Sequence, residues 1–399
     1  MHKGDIIQDR QIDPDRRHHI ERVSLDRISF PALADNDSVY LNSGGSGPPP
    51  GYVMKAMRAA DDFCSGPAYL EGLGLFARQA EANARARDAA AHIIGAAPDD
   101  VALTQNTTHG MNLGVNSIDW RESDEVISAT TEHPGCLAPL HNLRKRYGVK
   151  VNLLSPPVTP EKVEAIISSR TRLVALSHVD WTTGEVFPLR EICTVARDHG
   201  ITTLIDGAQS VGNISVDVPE TGADMYAFTG HKWVLGPEGM GGLYVNPDYR
   251  AFSANVGYAS VSEKTVFDIN GDYELRAGAR RFEASTMSPA LAGGFAAAAE
   301  AACERGVEGC QEMQRRAGLL MDLLSGFPRV TIRSPRPAQS GLVSFEVEDV
   351  PSKIAVERLL EQRFVTRFLP APASYIRVSV HLFNTEEELE ALARAVGEL

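Results

Sequence analysis

From about residue 75 onward, short apolar runs alternate with longer stretches in which apolar residues recur at helical spacing. The runs Val101–Thr104, Glu125–Ser128, Val149–Leu153, Arg172–Leu176, Thr202–Ile205, Met225–Phe228 and Gly242–Val245 read as strands. Between them, Phe76–Ile94, Pro160–Ser169 and Leu189–His199 read as helices. The first and last are followed by Gly95 and Gly200, residues suited to the left-handed conformation that ends a helix. Strands and helices taking turns predict an α/β domain with a mostly parallel sheet covered on both faces, where ligands gather at the carboxyl ends of the strands.

After Pro289 the pattern changes. An Ala-rich helix is followed by a second helix over Gln311–Leu324, then by strand-like pieces at Val330–Ile332 and Leu342–Phe345. Near the end, Thr385 and Glu388 have capping-box spacing before an amphipathic helix over Leu389–Val396. This α+β layout predicts a smaller second domain. The chain therefore divides into an N-terminal arm (1–38), a large domain (39–288) and a small C-terminal domain (289–399). Within the arm, Met1–Phe30 is rich in Asp, Arg and His, carries no leader pattern, and reads as exposed.

Composition narrows the function classes. A net charge of -13, with Arg144-Lys145-Arg146 as the nearest basic cluster, argues against a nucleic-acid partner, whose phosphates need a concentrated basic stripe. The longest weakly polar run, Ala290–Cys303, contains Glu300 and falls short of the roughly 20 residues a membrane span needs. The 5 cysteines are scattered without a C-x-x-C pair, which points to a reducing, cytoplasmic setting and not to a disulfide framework. No histidine pair has metal-ligand spacing, and adjacent His18 and His19 sit in the polar arm, so no metal is expected. Gly72-Leu-Gly74-Leu-Phe-Ala77 fits a loose dinucleotide pattern, but it follows no convincing strand and reads as a helix-entry loop.

Four local features carry chemistry. Thr229-Gly230-His231-Lys232-Trp233 follows an apolar run and precedes a glycine-rich stretch; a lysine desolvated there could attack an aldehyde, although lysines in turns are common. Asp206, at the end of the strand Thr202–Ile205, lies three residues before Gln209. It could pair with a protonated pyridine nitrogen, or simply cap the next helix. Asp206 and Lys232 are one strand-helix-strand crossing apart, which brings both to the same sheet edge. Thr107 and Thr108, between a strand and the helix-like Met111–Val115, suit an anion at a helix N-terminus, and equally an ordinary N-cap. His133, after the strand Glu125–Ser128, places an imidazole at that edge too.

Together these residues resemble the class V branch of the fold-type I pyridoxal 5'-phosphate (PLP) enzymes, which includes cysteine desulfurases, isopenicillin N epimerase-like proteins and C–S lyases. The similarity runs from Tyr40-Leu-Asn-Ser-Gly44 to Arg377-Val-Ser-Val-His-Leu-Phe-Asn384. The resemblance implies the fold-type I transferase fold and a Schiff base between the cofactor and Lys232. Asp206 would meet the pyridine nitrogen, Gln209 the phenolic oxygen, and His133 would stack over the ring. Thr107, Thr108, Thr229 and His231 would hold the phosphate, and Thr286 would add a phosphate contact from the neighbouring subunit of a homodimer with a shared active site. Arg377 would bind the α-carboxylate of a small amino-acid substrate, with Asn42 near the substrate mouth.

Two departures shape the functional expectation. The stretch Phe364–Tyr375, where desulfurases carry their nucleophilic cysteine, has none, so a persulfide-forming desulfurase is not expected. Trp181 stands about where the family often has Asn, which suggests a reshaped substrate pocket. The expected activity is C–S β-elimination from a cysteine S-conjugate, a thioether or sulfoxide. Epimerisation ranks next, then decarboxylating or oxidative deamination, and last a non-catalytic PLP-binding regulator, for which the arm offers no helix-turn-helix pattern.

Overall fold

The computed structural model describes residues 25–70, 73–250, 252–263 and 270–399. Met1 to Ser24, including His18 and His19, lie outside the described residues, as does Gly72.

The first part of the chain runs through β1 (Val39–Tyr40), α1 (Gly51–Ser65), α2 (Leu73–His92), β2 (Val101–Thr104), α3 (Thr107–Val115), β3 (Glu125–Ala129), α4 (Pro134–Tyr147) and β4 (Lys150–Leu154). It continues with α5 (Pro160–Ala165), β5 (Thr171–Ser177), α6 (Leu189–Asp198), β6 (Thr202–Asp206), α7 (Val218–Thr221), β7 (Met225–Thr229) and β8 (Gly241–Val245). Seven strands form one sheet in the order β2-β8-β7-β6-β5-β3-β4, in which β8 alone runs antiparallel to its neighbours. Alternate residues of these buried strands feed two cores, as the period of two dictates. Val174, Leu176, Ile205 and Phe228 pack toward α1, α2, α6 and the helix after Pro289. Leu173, Ala175, Leu204 and Ala227 pack toward α3 and α4.

The second part comprises α8 (Pro289–Ser325), β9 (Val330–Ile332), β10 (Leu342–Val347), α9 (Ser352–Glu361), β11 (Phe364–Val365), β12 (Arg367–Phe368), β13 (Ile376–Ser379) and α10 (Glu386–Gly397). An antiparallel sheet in the order β12-β13-β10-β9 shares a third core with α9, α10 and the second half of α8. The expected pair of helices after Pro289 is one helix interrupted at Gly306, whose φ of 54° and ψ of -156° leave the helical region. The capping box forms as the spacing predicted: Thr385 Oγ1 accepts from Glu388 N, and Glu388 Oε2 from Thr385 N.

Two expectations need correction. Gly74-Leu-Phe-Ala77 is not an entry loop but belongs to the first turns of α2. The described end of the arm is not uniformly exposed. Phe30 is fully buried against Phe383, their ring centroids 4.8 Å apart, and Arg27 pairs with Glu388 at 2.8 Å. An apolar residue in a polar segment found a hydrophobic pocket there, and Leu33 shares it.

Candidate active site

The residues singled out above converge on a cavity of about 390 Å³ at the carboxyl ends of the parallel strands. Thr107, Thr108, His133, Trp181, Asp206, Gln209, Thr229, His231, Lys232 and Arg377 all line it. Asn42 and Thr286 do not. Asn42 lies just behind the wall, its Oδ1 buried without a partner beside Gly45, and Thr286 is exposed away from its own chain's cavity. A larger hollow of about 780 Å³ opens beside α3 and α4, near Phe252 and Asn255, but holds none of these candidate residues. The smaller cavity is the chemically equipped one.

Asp206 ends β6 and is 5% exposed. Its Oδ1 accepts from Ala208 N at 2.9 Å, so the turn that follows holds the carboxylate at the strand end. Burial raises its pKa, while the Ala208 N–H and Lys232 pull it back. Gly207 permits this turn: a Cβ there would fall 2.1 Å from the Tyr226 ring. Gln209 donates from Nε2 to Gly44 O at 2.8 Å and accepts at Oε1 from Trp233 Nε1 at 2.9 Å. The second Nε2 hydrogen remains for a ligand.

Lys232 follows β7 by three residues. Burial lowers its pKa to about 8; Asp206 opposes the shift, and Arg377 and Arg367 add to it. Roughly a tenth of the amine is then neutral at pH 7, far more than for an ordinary lysine, and the neutral amine is the form that attacks an aldehyde.

On the opposite wall, α3 presents its N-terminus. Asn106, not a threonine, is the N-cap: its Oδ1 accepts from His109 N at 2.9 Å. That frees both threonines for other work, and Thr107 Oγ1 is a buried hydroxyl with no partner. A buried unpaired hydroxyl costs stability unless something supplies a bond. A phosphate at this helix end would do so, with Thr108, Thr229 and His231 beside it. Thr229 Oγ1 and His231 Nδ1 already hydrogen-bond at 2.6 Å.

His133 caps α4, its Nδ1 accepting from Gly135 N at 3.0 Å, and its ring meets Trp181 edge-on at 4.8 Å. Burial first, then Lys232, Arg377 and Arg367, push its pKa down to about 4, so the imidazole is neutral at working pH. Trp181 Nε1 donates to Thr131 O at 2.7 Å, and its backbone carbonyl accepts from Arg377 Nη1 at 2.9 Å. The Arg377 guanidinium lies 5.9 Å from the Trp181 ring centre. Arg377 is 2% exposed, its Nε has no partner, and burial followed by Arg367 lowers its pKa to about 9. A buried guanidinium with a spare N–H beside a cavity is an open carboxylate site.

Sequence reasoning missed Arg367 as a site residue. It lies on β12 directly across from Arg377 and lines the cavity. A two-residue strand leaves no periodic signal, so only the pairing reveals it. Conversely, none of the five cysteines lines the cavity; Cys136 and Cys193 are buried and the others partly buried. Among the described residues no acid, histidine or cysteine cluster could hold a metal ion, and no helix is long and apolar enough to cross a membrane.

Comparison with known proteins places the chain in a family. The model of the family Aminotransferase class-V matches residues 39–392. A probable cysteine desulfurase of Methanothermobacter thermautotrophicus is 28% identical over 94% of this chain and 97% of its own. The isopenicillin N epimerase of Streptomyces clavuligerus is 28% identical over 92% and 96%. A solved structure of a C-DES variant with glycine covalently linked to the PLP cofactor superposes with a TM-score of 0.87, at 30% identity, over 94% of this chain and 99% of that one. The cystine C–S lyase C-DES, solved with its reaction product cysteine persulfide, gives 0.85 at 30% over 93% and 99%. This chain belongs to the aminotransferase class-V family and is a PLP-dependent enzyme of the fold-type I architecture.

Proposed function

We propose that this enzyme is a C–S β-lyase that cleaves a cysteine S-conjugate with water into pyruvate, ammonia and the sulfur fragment, a thiol from a thioether or a sulfenic acid from a sulfoxide. One observation carries the reading: the cavity joins a lysine of lowered pKa to a buried arginine with an unpaired Nε, and no cysteine lines it. A protein thiol that could keep the sulfur is missing from the lining, so sulfur leaves with its own substituent. The likeness to the cystine C–S lyase C-DES supports the same reaction class.

The bound PLP supplies an electron sink for the bonds at Cα. Residues of this chain supply the rest. Thr107, Thr108, Thr229 and His231 would hold the phosphate, Asp206 would neutralise a protonated ring nitrogen, and Gln209 would donate its free Nε2 hydrogen to the phenolic oxygen. Arg377 would take the substrate carboxylate through Nε, braced by Trp181 O. Lys232 Nζ, released as a free amine, would remove the Cα proton. Loss of that proton and departure of the sulfur substituent with the C–S electron pair balance the elimination. Arg367, across the strand pair from Arg377 and in no ion pair among the described residues, would favour S-substituents that carry an anionic group.

Epimerisation is the second reading, favoured by the likeness to the isopenicillin N epimerase and by the neutral His133 in the same cavity as Lys232. The enzyme is read as a cytoplasmic homodimer. Phe252, which lines the larger hollow, and Tyr258 are 65% and 67% exposed, and the exposed Thr286 is free to serve a partner's site.

The test is incubation of the reconstituted enzyme with cystine, S-alkyl cysteines and cysteine sulfoxides in deuterated water. Pyruvate formed in step with the sulfur fragment, a thiol from S-alkyl cysteines, a sulfenic acid from sulfoxides and cysteine persulfide from cystine, is the expected outcome. Deuterium entering Cα without pyruvate would replace the lyase by an epimerase.

A further inference from the structure

The residue before His133 has no place in the chemistry above, yet it is among the most deeply buried acids in the molecule. Glu132 is 4% exposed and follows β3 on the turn that leads into α4. Its Oε1 accepts from Ser177 N at 2.7 Å, and its Oε2 shares a short hydrogen bond with Ser177 Oγ. Ser177 ends β5 and stands in register with Asp206 on β6. Side chains of register partners in a parallel sheet leave the same face, so the carboxyl groups of Glu132 and Asp206 share one side of the sheet beneath the cavity.

The ionisable groups facing Glu132 from the surrounding elements are Asp206 on β6, Asp180 on the turn after β5, and Cys136 on α4. All three are acids. Among the described residues no lysine, arginine or histidine forms an ion pair with Glu132. Both carboxyl groups accept a backbone N–H, Glu132 from Ser177 and Asp206 from Ala208, and the Ser177 bonds favour a charge on Glu132 as well, but only Asp206 has a cation, Lys232, beside it. Two carboxyl groups in one low-dielectric pocket do not both ionise, and the proton goes to the one without a cation. Burial raises the Glu132 pKa to about 8, in the same direction.

We propose that Glu132 is a neutral carboxylic acid in the working enzyme and serves as a positioning residue. It ties the His133 turn to the end of β5 without placing a second negative charge beside Asp206. The Ser177 hydroxyl, which as a donor would point at Glu132 Oε2, turns to accept the acid's O–H, and the carbonyl oxygen accepts from Ser177 N–H. Asp206 is thereby left as the single anion at the cavity floor. The inference uses the assignment of Asp206 as the cofactor's carboxylate, and it stands whether the reaction is elimination or epimerisation.

The experiment is infrared difference spectroscopy of the full-length holoenzyme, wild type against Glu132→Gln, with the glutamate side chains carbon-13 labelled at the carboxyl. At neutral pH the wild type should show a protonated-carboxyl C=O band that shifts with the label and with transfer to D2O. That band should be absent from the variant and should fade as pH rises through about 8. The visible cofactor band should titrate at the same pH in both proteins, because exchanging a neutral acid for a neutral amide removes no charge. A band that is missing from the wild type, persists in Glu132→Gln, or ignores the glutamate label would overturn the proposal. So would a fall in the cofactor titration in the variant, which marks loss of a neighbouring anion. Should the variant not fold, the labelled wild type alone decides, by the presence of the band and its fading with pH. None of these readouts depends on the substrate, so failure of the lyase assignment leaves them intact.

Discussion

Replacing Arg377 tests the site most directly, because two separable effects are proposed for its guanidinium. The first is recognition. Arg377 lines the cavity, is 2% exposed, spends Nη1 on Trp181 O, and has a buried Nε without a partner. A substrate carboxylate would supply the missing acceptor, and a charge-assisted bond of this kind contributes about 1.5–3 kcal/mol. With part of a second bond lost, Arg377→Ala should forfeit about 2–4 kcal/mol, which at about 1.4 kcal/mol per decade is roughly 30- to 700-fold in kcat/KM. The loss should fall mainly on KM. Arg377→Lys keeps the charge but not the planar fork, and should lose about tenfold. The second effect is electrostatic: Arg377 helps hold the Lys232 pKa down at about 8. Removing that cation favours the ammonium, so in Arg377→Ala the Lys232 pKa rises, while in Arg377→Lys it stays near its present value. The assay for this part is the rate at which cofactor-free protein captures PLP, trapped by borohydride and followed against pH. Its rising limb should move to higher pH in the alanine variant alone. An unchanged KM in Arg377→Ala, together with a limb that stays put or moves down, would refute both arguments.

Arg87 and Glu283 form a buried pair at 2.8 Å, and Glu283 Oε1 also accepts from Leu103 N, so Arg87→Ala strands a carboxylate and should cost about 3–5 kcal/mol in urea unfolding. Gly207→Ala drives a Cβ to 2.1 Å from the Tyr226 ring; the turn carrying Asp206 must move, and PLP affinity, measured by titration, should weaken roughly 5- to 150-fold, for a strain of about 1–3 kcal/mol. His178 is buried against Tyr226 Oη at 2.8 Å and its pKa is pushed from 6.5 down to about 4. A depressed folded pKa means that its contribution is complete above about 6.5 and is lost as pH falls through about 4. Up to about 3 kcal/mol should disappear over that window, and His178→Gln should flatten it in unfolding curves taken at several pH values.

What could be read from the sequence was what repeats locally. Buried strands such as β5 and β7 announce themselves as apolar runs, and helices such as α6 end at a glycine that takes a positive φ, 67° at Gly200. Because strand ends of a parallel sheet share an edge, Asp206, Lys232, Thr107 and His133 could be gathered without coordinates. What was hidden depends on partners distant in the chain. Residues in two-residue strands, β1 with β11 and β12 with β13, have no period to display, and Arg367 became a site residue only through its register with Arg377. Phe30 sits in a charged arm and is buried because Phe383 happens to lie opposite. Glu132 is the sharpest case. A Glu-His pair at a strand end looks like surface chemistry, and whether that carboxyl is an anion or an acid is decided by Ser177, Asp206 and Asp180, none of which adjoins it in sequence. Residue type fixes which charge states are accessible. The surrounding dielectric and the neighbouring charges choose among them, so the electrostatic half of an active site becomes visible only when the chain is folded.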